Sequence, residues 1–167
     1  MTVTAIKHTE KVKETTDFIM SAHHGQLYGN LPYWTHPFDV AALGQEFFGE
    51  AFDEDTTIAA LLHDVIEDTK YTRESLSELG YSDAVLDPVE LVTKVEGFSY
   101  FENIQRIIDS ENRSAMMVKF ADNYKNYTGD KSDWDPKRRE KSNAKYLKSM
   151  EMLAEALNVE LPQDVKK

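Results

Sequence analysis

Apolar residues recur at spacings of three and four along most of the chain, and this repeat constrains the fold more than any other feature. It is clear in residues 12–19, 40–47 and 58–66, where it gathers apolar side chains on one face of a helix. Strand-like alternation is not evident. Further helices are predicted over residues 99–108, 114–127 and 136–157. The sequence therefore predicts an all-α fold, a compact bundle of about seven or eight helices.

Residues that favour helix ends divide this pattern into short helices. Pro37 suits the first turn of the second helix, and the third helix is expected to start near Asp55. Thr72 starts a short helix that ends at Gly80, and Ser82 or the next residue starts another. Two segments are predicted as loops with a functional role, residues 25–35 and 129–135.

The length and composition set the class of protein. With 167 residues, of which 41% are hydrophobic, the chain fits one domain, predicted over residues 1–162 with a frayed tail at 163–167. Because it lacks a long apolar run and a signal-peptide pattern, we expect a soluble, unprocessed, cytoplasmic protein. The absence of cysteine excludes a disulfide scaffold, a thiolate metal site and a cysteine nucleophile.

The net charge of the chain limits the kinds of partner that it is expected to bind. Thirty acidic against 19 basic residues give a net charge of −11, which argues against binding of duplex nucleic acid. A small substrate is expected instead, and no membrane partner. An acidic protein that handles phosphate must offset its own field locally, with a bound dication or a few basic side chains. Pairing into a homo-oligomer is left open.

The segment 59–69, AALLHDVIEDT, carries four ionisable residues inside an apolar block that is predicted to be one amphipathic helix. Helical spacing places His63 one turn from Glu67, and Asp64 one turn from Asp68. The crowded carboxylates would repel each other without a cation. A dication such as Mn²⁺, Mg²⁺ or Zn²⁺ accepts imidazole and carboxylate ligands together, so this surface is a candidate metal site.

Two further residues are unusual as plain core residues. Asp122 lies inside the apolar run MMVKFADNY, where a buried carboxylate needs a metal or a cation, and Lys119 is a candidate for that cation. His36 starts the second helix. An isolated histidine next to a proline is more often a hydrogen-bonded structural residue than a ligand, so its role depends on its context.

Five segments, HHGQ, PYWTHP, AALLHDVIEDT, VTK and VKFADNYKN, occur in an order that resembles the HD superfamily of phosphohydrolases. They look most like the hydrolase domain of RelA/SpoT-type (p)ppGpp enzymes and their short stand-alone relatives. The resemblance covers most of the chain. It implies an HD-type helical bundle and a metal-dependent enzyme that hydrolyses a phosphate ester or pyrophosphate in a small nucleotide.

The resemblance also implies roles for individual residues. One divalent ion, with Mn²⁺ as the leading expectation and Zn²⁺, Mg²⁺, Fe²⁺, Co²⁺ or Ni²⁺ as alternatives, would be held by His36, His63, Asp64 and Asp122. Glu67 and Asp68 would orient and deprotonate the attacking water. Asn126 matches a substrate-contacting position, and Lys94 and Lys119 match recurring basic positions.

The chain departs from the family pattern in the loop QLYGNLPY. It has Leu27 and Tyr28 where basic residues are common; Tyr28 can stack on a base but adds no charge. The 3′-pyrophosphate of (p)ppGpp is the leading substrate. The alternatives are a nucleotide or dinucleotide phosphatase, acting for example on NADPH or a nucleoside phosphate, and an inactive nucleotide-binding HD module. His23 and His24 are interpreted as surface or packing residues without a role.

Overall fold

The computed structural model describes residues 6–165. Within them the chain forms nine α-helices, two short strands and a 3₁₀ turn, so the prediction of an all-α fold is confirmed. In chain order these elements are α1 (Glu10–Ala22), β1 (Leu27–Tyr28), β2 (Leu31–Pro32), α2 (Thr35–Phe48), the 3₁₀ turn Gly49–Ala51, α3 (Glu54–Leu62), α4 (Val65–Asp68), α5 (Arg73–Glu78), α6 (Asp83–Val92), α7 (Tyr100–Asp109), α8 (Arg113–Thr128) and α9 (Pro136–Leu157).

Side-chain caps set the starts of several helices. The Asp53 carboxylate accepts the backbone N–H of Thr56 at the start of α3. Thr72 and Ser75 form a reciprocal capping box at α5, and Ser99 does the same with its partner at α7. These caps satisfy N–H groups that have no partner inside the helix. Local chemistry therefore places α3 and α5 where the sequence predicts them to begin.

The core is built around α8, which packs mainly against α2 and α9, while α3 packs between α1, α2 and α6. Every residue from Thr56 to Leu62 in α3 is buried, as expected for a helix surrounded by others. Gly44 lets α2 approach the Phe52 ring, because a Cβ at that position would lie 2.2 Å from a ring carbon. The centre of the bundle thus brings the middle of α8 close to the start of α2 and the end of α3.

The prediction of one continuous helix over residues 59–69 is wrong. Helix α3 ends at Leu62 and α4 begins at Val65, with His63 and Asp64 forming the turn between them. The carbonyl of Ala60 accepts both the backbone N–H of His63, at 3.3 Å, and its ring Nδ1–H, at 2.6 Å. This tighter hydrogen bond, to the third residue back, interrupts the α-helix. His63 and Asp64, the first two of the four ionisable residues in this segment, therefore form the break between the two helices.

The loop predicted at residues 25–35 contains a small antiparallel hairpin. Leu27 pairs with Pro32 and Tyr28 with Leu31, and Gly29 occupies the turn with a φ of +61°. A positive φ is readily adopted by glycine but costs energy in most other residues. Two-residue strands are too short to show an alternating pattern, which is why the sequence did not reveal them.

Among the described residues, no helix combines the length and apolar character needed to span a membrane. The expected frayed tail, residues 163–167, falls partly outside the described range. In its described part Val165 is buried, and Asp164 accepts a hydrogen bond from the Tyr124 hydroxyl of α8. The domain boundary at residue 162 stays a prediction.

Candidate metal centre

Four side chains from three parts of the bundle meet at its centre, and they are the four predicted metal ligands. His36 comes from the first turn of α2, His63 and Asp64 from the turn between α3 and α4, and Asp122 from the middle of α8. His36 Nε2 lies 2.9 Å from Asp122 Oδ1. His63 Nε2 lies 3.0 Å from Asp64 Oδ2 and 3.5 Å from Asp122 Oδ1.

The spacing of these atoms suits a shared divalent ion. Ligands that each lie about 2.1 Å from one ion are roughly 3.0–3.4 Å apart in octahedral or tetrahedral geometry. His36, His63 and Asp64 each offer one ligand atom within 4.8 Å of the others, and Asp122 contacts both imidazoles. Two imidazoles and two carboxylates form a donor set that several first-row dications accept.

His63 is oriented for ligation by its own backbone turn. Its Nδ1 must carry the proton, because the Ala60 carbonyl 2.6 Å away can only accept. The ring therefore directs Nε2 at the cluster. Burial lowers the pKa of His63, but the Asp64 and Asp122 carboxylates beside Nε2 raise it well above its usual range. Nε2 is buried and has no hydrogen bond among the described residues. The two carboxylates thus favour a positive charge at this position, and a bound dication would supply it while accepting the Nε2 lone pair.

The charges of the cluster favour the ligating forms of the carboxylates. Burial raises the pKa of Asp122, but the Lys119 ammonium and the two imidazoles hold it well below its usual range. Burial also raises the pKa of Asp64, and His63 more than offsets this effect. Lys119 contacts Asp122 Oδ2 at 3.3 Å, whereas the imidazoles face Oδ1. Lys119 therefore pairs with one oxygen of Asp122 and leaves the other facing the histidines.

Tyr33 belongs to the site, although it was not among the predicted site residues. Its hydroxyl donates a hydrogen bond of 2.7 Å to Asp64 Oδ2. Burial and the Asp64 carboxylate raise the pKa of Tyr33, so the hydroxyl keeps its proton and remains a donor. Such a hydrogen bond fixes the orientation of a ligand side chain. The position of Tyr33 in PYWTHP, close to His36, was the available signal.

Two predicted substrate contacts, Tyr28 and Asn126, instead contact the ligands. The Tyr28 ring stacks on His36 with centroids 4.4 Å apart, and its hydroxyl donates to Asn126 Oδ1 at 3.0 Å. Asn126 Nδ2 in turn donates to Asp122 Oδ1 at 3.3 Å. The hairpin thus covers one side of the cluster through these contacts. A direct role of either residue in substrate binding stays a prediction.

Glu67 and Asp68 lie on the single turn of α4, directly after the cluster. Asp64, Glu67 and Asp68 each offer a carboxylate oxygen within 4.8 Å of the others. Glu67 Oε1 accepts the backbone N–H of Lys94 at 2.7 Å, which ties α4 to the loop after α6. Burial and the negative charges of Asp64 and Glu67 raise the pKa of Asp68. This carboxylate is therefore a stronger proton acceptor than an ordinary aspartate.

His23 and Gln26 support this turn from the end of α1. Gln26 Nε2 donates to the backbone carbonyl of Asp68 at 3.0 Å. His23 is buried, with its Nδ1 2.9 Å from Gln26 Oε1 and its ring against Tyr33. The interpretation of His23 as a packing residue fits its burial. Its hydrogen bond adds a link to α4 that the sequence pattern did not show.

Comparison with known proteins gives matches over most of the chain. The 3′-pyrophosphohydrolase of guanosine-3′,5′-bis(diphosphate) from Haemophilus influenzae is 35% identical over 111 residues, which cover 60% of this chain and 16% of that protein. The protein of the same description from Aquifex aeolicus is 32% identical over 127 residues, or 72% of this chain and 18% of that protein. The chain thus spans less than one fifth of these relatives.

A solved structure and a family model extend the comparison. The structure is of a metazoan ortholog of SpoT described as hydrolysing ppGpp; it aligns with a TM-score of 0.68 and 24% identity, over 92% of this chain and 95% of its own. This likeness confirms the expected type of helical bundle. The sequence model of the HD domain matches residues 33–161, a range that includes all four clustered ligands. The chain therefore belongs to the HD domain family, as its motifs indicate.

Proposed function

We propose that this chain is a metal-dependent phosphohydrolase of small nucleotides, with the 3′-pyrophosphate of (p)ppGpp as its leading substrate. The observation that carries the proposal is the largely buried cluster of two histidines and two aspartates, with two further carboxylates on the next turn. The relatives described as (p)ppGpp hydrolases support the substrate class. The family alone leaves the choice of nucleotide open.

The residues that would hold the ion are His36, His63, Asp64 and Asp122. Mn²⁺ is the leading choice among the dications that this donor set accepts. When bound there, a dication would acidify a water molecule and offset the negative charge of a phosphate group.

Asp68 and Glu67 would act on the attacking water. In the proposed reaction the water oxygen bonds to phosphorus. The bond from phosphorus to the ester oxygen breaks, and that oxygen keeps the electron pair and takes a proton from solvent, while the water proton passes to Asp68. The raised pKa of Asp68 suits this task. Glu67, held by the Lys94 N–H, would orient the water. Lys119, next to Asp122, adds local positive charge in a protein with a net charge of −11.

The hairpin favours a second candidate within the same class. Leu27 and Tyr28 provide no cation for a phosphate or a guanine carbonyl, and the Tyr28 hydroxyl already donates to Asn126. A nucleotide or dinucleotide phosphatase with a different base preference, acting for example on NADPH, fits this uncharged loop. An HD module that binds nucleotides without hydrolysing them is the alternative outside enzymes.

A turnover screen separates these candidates. The purified full chain is supplied with Mn²⁺, Mg²⁺ or Zn²⁺ and with ppGpp, NADPH or common nucleoside phosphates, and the products are separated by chromatography. We expect release of pyrophosphate from ppGpp. Release of phosphate from another nucleotide supports the second candidate, and binding without turnover supports the inactive module.

A variant of one ligand tests the metal centre in the same screen. Asp64→Ala is expected to abolish metal-dependent turnover while the circular dichroism spectrum stays that of the wild type. The matched control is Asp109→Asn, which alters an exposed carboxylate at the end of α7. Full activity in Asp64→Ala would contradict the proposal.

A further inference from the structure

A small cavity lies next to the metal centre, and no residue of the hairpin is among its lining residues. Its volume is about 250 Å³, and Glu67, Lys94 and Lys119 contribute its charged lining. Lys119 lies 3.3 Å from Asp122, and Glu67 offers an oxygen within 4.8 Å of Asp64. Glu67 and Lys119 therefore line the cavity and also lie next to two of the predicted ligands.

The rest of the lining is mainly apolar and aromatic. Ile104 and Ile107 of α7 are buried there, and Phe98 is 45% exposed in the loop before α7. The Phe98 ring makes no aromatic contact within residues 6–165. A large apolar ring left exposed beside a polar site is a typical surface for ligand stacking.

We propose that this cavity receives the aromatic ring of the substrate, with the base against Phe98 while the phosphate stays at the metal centre. The inference rests on the proposed function and adds the position of the base. A volume of about 250 Å³ is below the roughly 300–1,000 Å³ of sites that enclose a whole drug-sized ligand. The space therefore suits one ring system.

The side of the centre that the hairpin covers is already occupied by contacts within the chain. Tyr28 stacks on His36, and the Tyr28 hydroxyl and the Asn126 amide oxygen are hydrogen-bonded to each other. A base bound there would have to break this hydrogen bond or separate the stacked rings. No comparable contact has to be broken for a ring to lie against Phe98 among the described residues.

The loop that carries Phe98 is held in place without a ligand. Asn103 Oδ1 accepts the backbone N–H of Val95 at 3.0 Å, and its Nδ2 donates to the carbonyls of Phe98 and Ser99 at 3.4 and 3.1 Å. The Glu67 carboxylate fixes the same loop through the Lys94 N–H. Because the wall is ordered in advance, little conformational entropy would be lost when a ring binds.

The test compares Phe98→Ala with Leu27→Ala, which truncates an exposed apolar side chain of the hairpin. Stacking of one base on an aromatic side chain commonly changes affinity by about 10-fold or more. We expect Phe98→Ala to raise KM for the hydrolysed nucleotide by about 10-fold with kcat within twofold. Phe98→Trp should restore KM, and Leu27→Ala should leave it unchanged. Inhibition by inorganic pyrophosphate, which has no ring, should be the same in all variants.

An unchanged KM in Phe98→Ala, or an equal rise in Leu27→Ala, would overturn the inference. A second measurement distinguishes failure of this inference from failure of the proposed function. Binding of ppGpp and of NADPH to the wild type and Phe98→Ala is measured by calorimetry without added metal. If the wild type hydrolyses no nucleotide but binds one about 10-fold more tightly than Phe98→Ala, the proposed function fails and the cavity assignment stands. If no nucleotide binds, the cavity assignment fails.

Discussion

The four predicted ligands and the surface proposed to face the substrate differ in how their side chains are held in place. Each of three ligands is held by another group of the chain: His63 by the Ala60 carbonyl, Asp64 by Tyr33, and Asp122 by Lys119. By contrast, Glu67, Asp68 and Lys94 are exposed and lie on a single helical turn and a loop. If the proposed function holds, the core would set the geometry of the metal site, whereas selectivity would depend on short surface elements that can change without disturbing it.

The largest effect on the exposed side is expected for the proton acceptor. Asp68→Asn removes the proposed base and should lower kcat by about 100-fold or more with little change in KM. Glu67→Gln keeps a side-chain oxygen that can accept the Lys94 N–H, so a smaller loss is expected. Steady-state kinetics of both variants checks this order. Equal losses would show that the two carboxylates act as one unit.

A smaller effect is expected where a supporting group of the buried cluster is removed. Tyr33→Phe keeps the ring but deletes the 2.7 Å hydrogen bond to Asp64. Loss of a hydrogen bond that orients a ligand typically lowers metal affinity by about 10–100-fold. Competition with a fluorescent chelator measures this affinity. Tyr71→Phe, a tyrosine whose ring packs on Phe18, is the matched control and should bind the ion like the wild type.

The smallest effect is expected at the hairpin. Tyr28→Phe keeps the stacking on His36 and removes only the part-buried hydrogen bond between the Tyr28 hydroxyl and Asn126. We expect kcat/KM to stay within about 10-fold of the wild type, since a neutral hydrogen bond of this kind contributes roughly 0.5–1.5 kcal/mol. A loss of 100-fold would instead make Tyr28 a direct participant and weaken the distinction between the two regions.

The sequence indicated the side chains that meet in the cluster because they interrupt an apolar pattern. His63 and Asp64 follow four buried apolar residues, and Asp122 follows another apolar run, so each required a partner. His36 was then predicted as a further ligand from the order of the motifs along the chain. Helix starts were predictable for a related reason, because residues such as Asp53 and Thr72 satisfy backbone groups locally.

The sequence did not predict features that depend on contacts between distant residues. Tyr33 and Asp64 are 31 positions apart, and Tyr28 and Asn126 are 98 apart, so no local pattern joins them. The break between α3 and α4 was missed because helical spacing continues on both sides of it. The cavity beside Glu67 needs three separate segments to meet, and only the packed fold brings them together.

The central claim is that one dication is held by the four clustered side chains. Isothermal titration with Mn²⁺ of the wild type and of Asp122→Asn measures it most directly, with Asp39→Asn, whose carboxylate pairs with Lys125, as the control. The account predicts one site per chain in the wild type and the control, and at least a 100-fold loss of affinity in Asp122→Asn, beyond the roughly 10–100-fold effect of a supporting residue. Equal binding in all three proteins would contradict it.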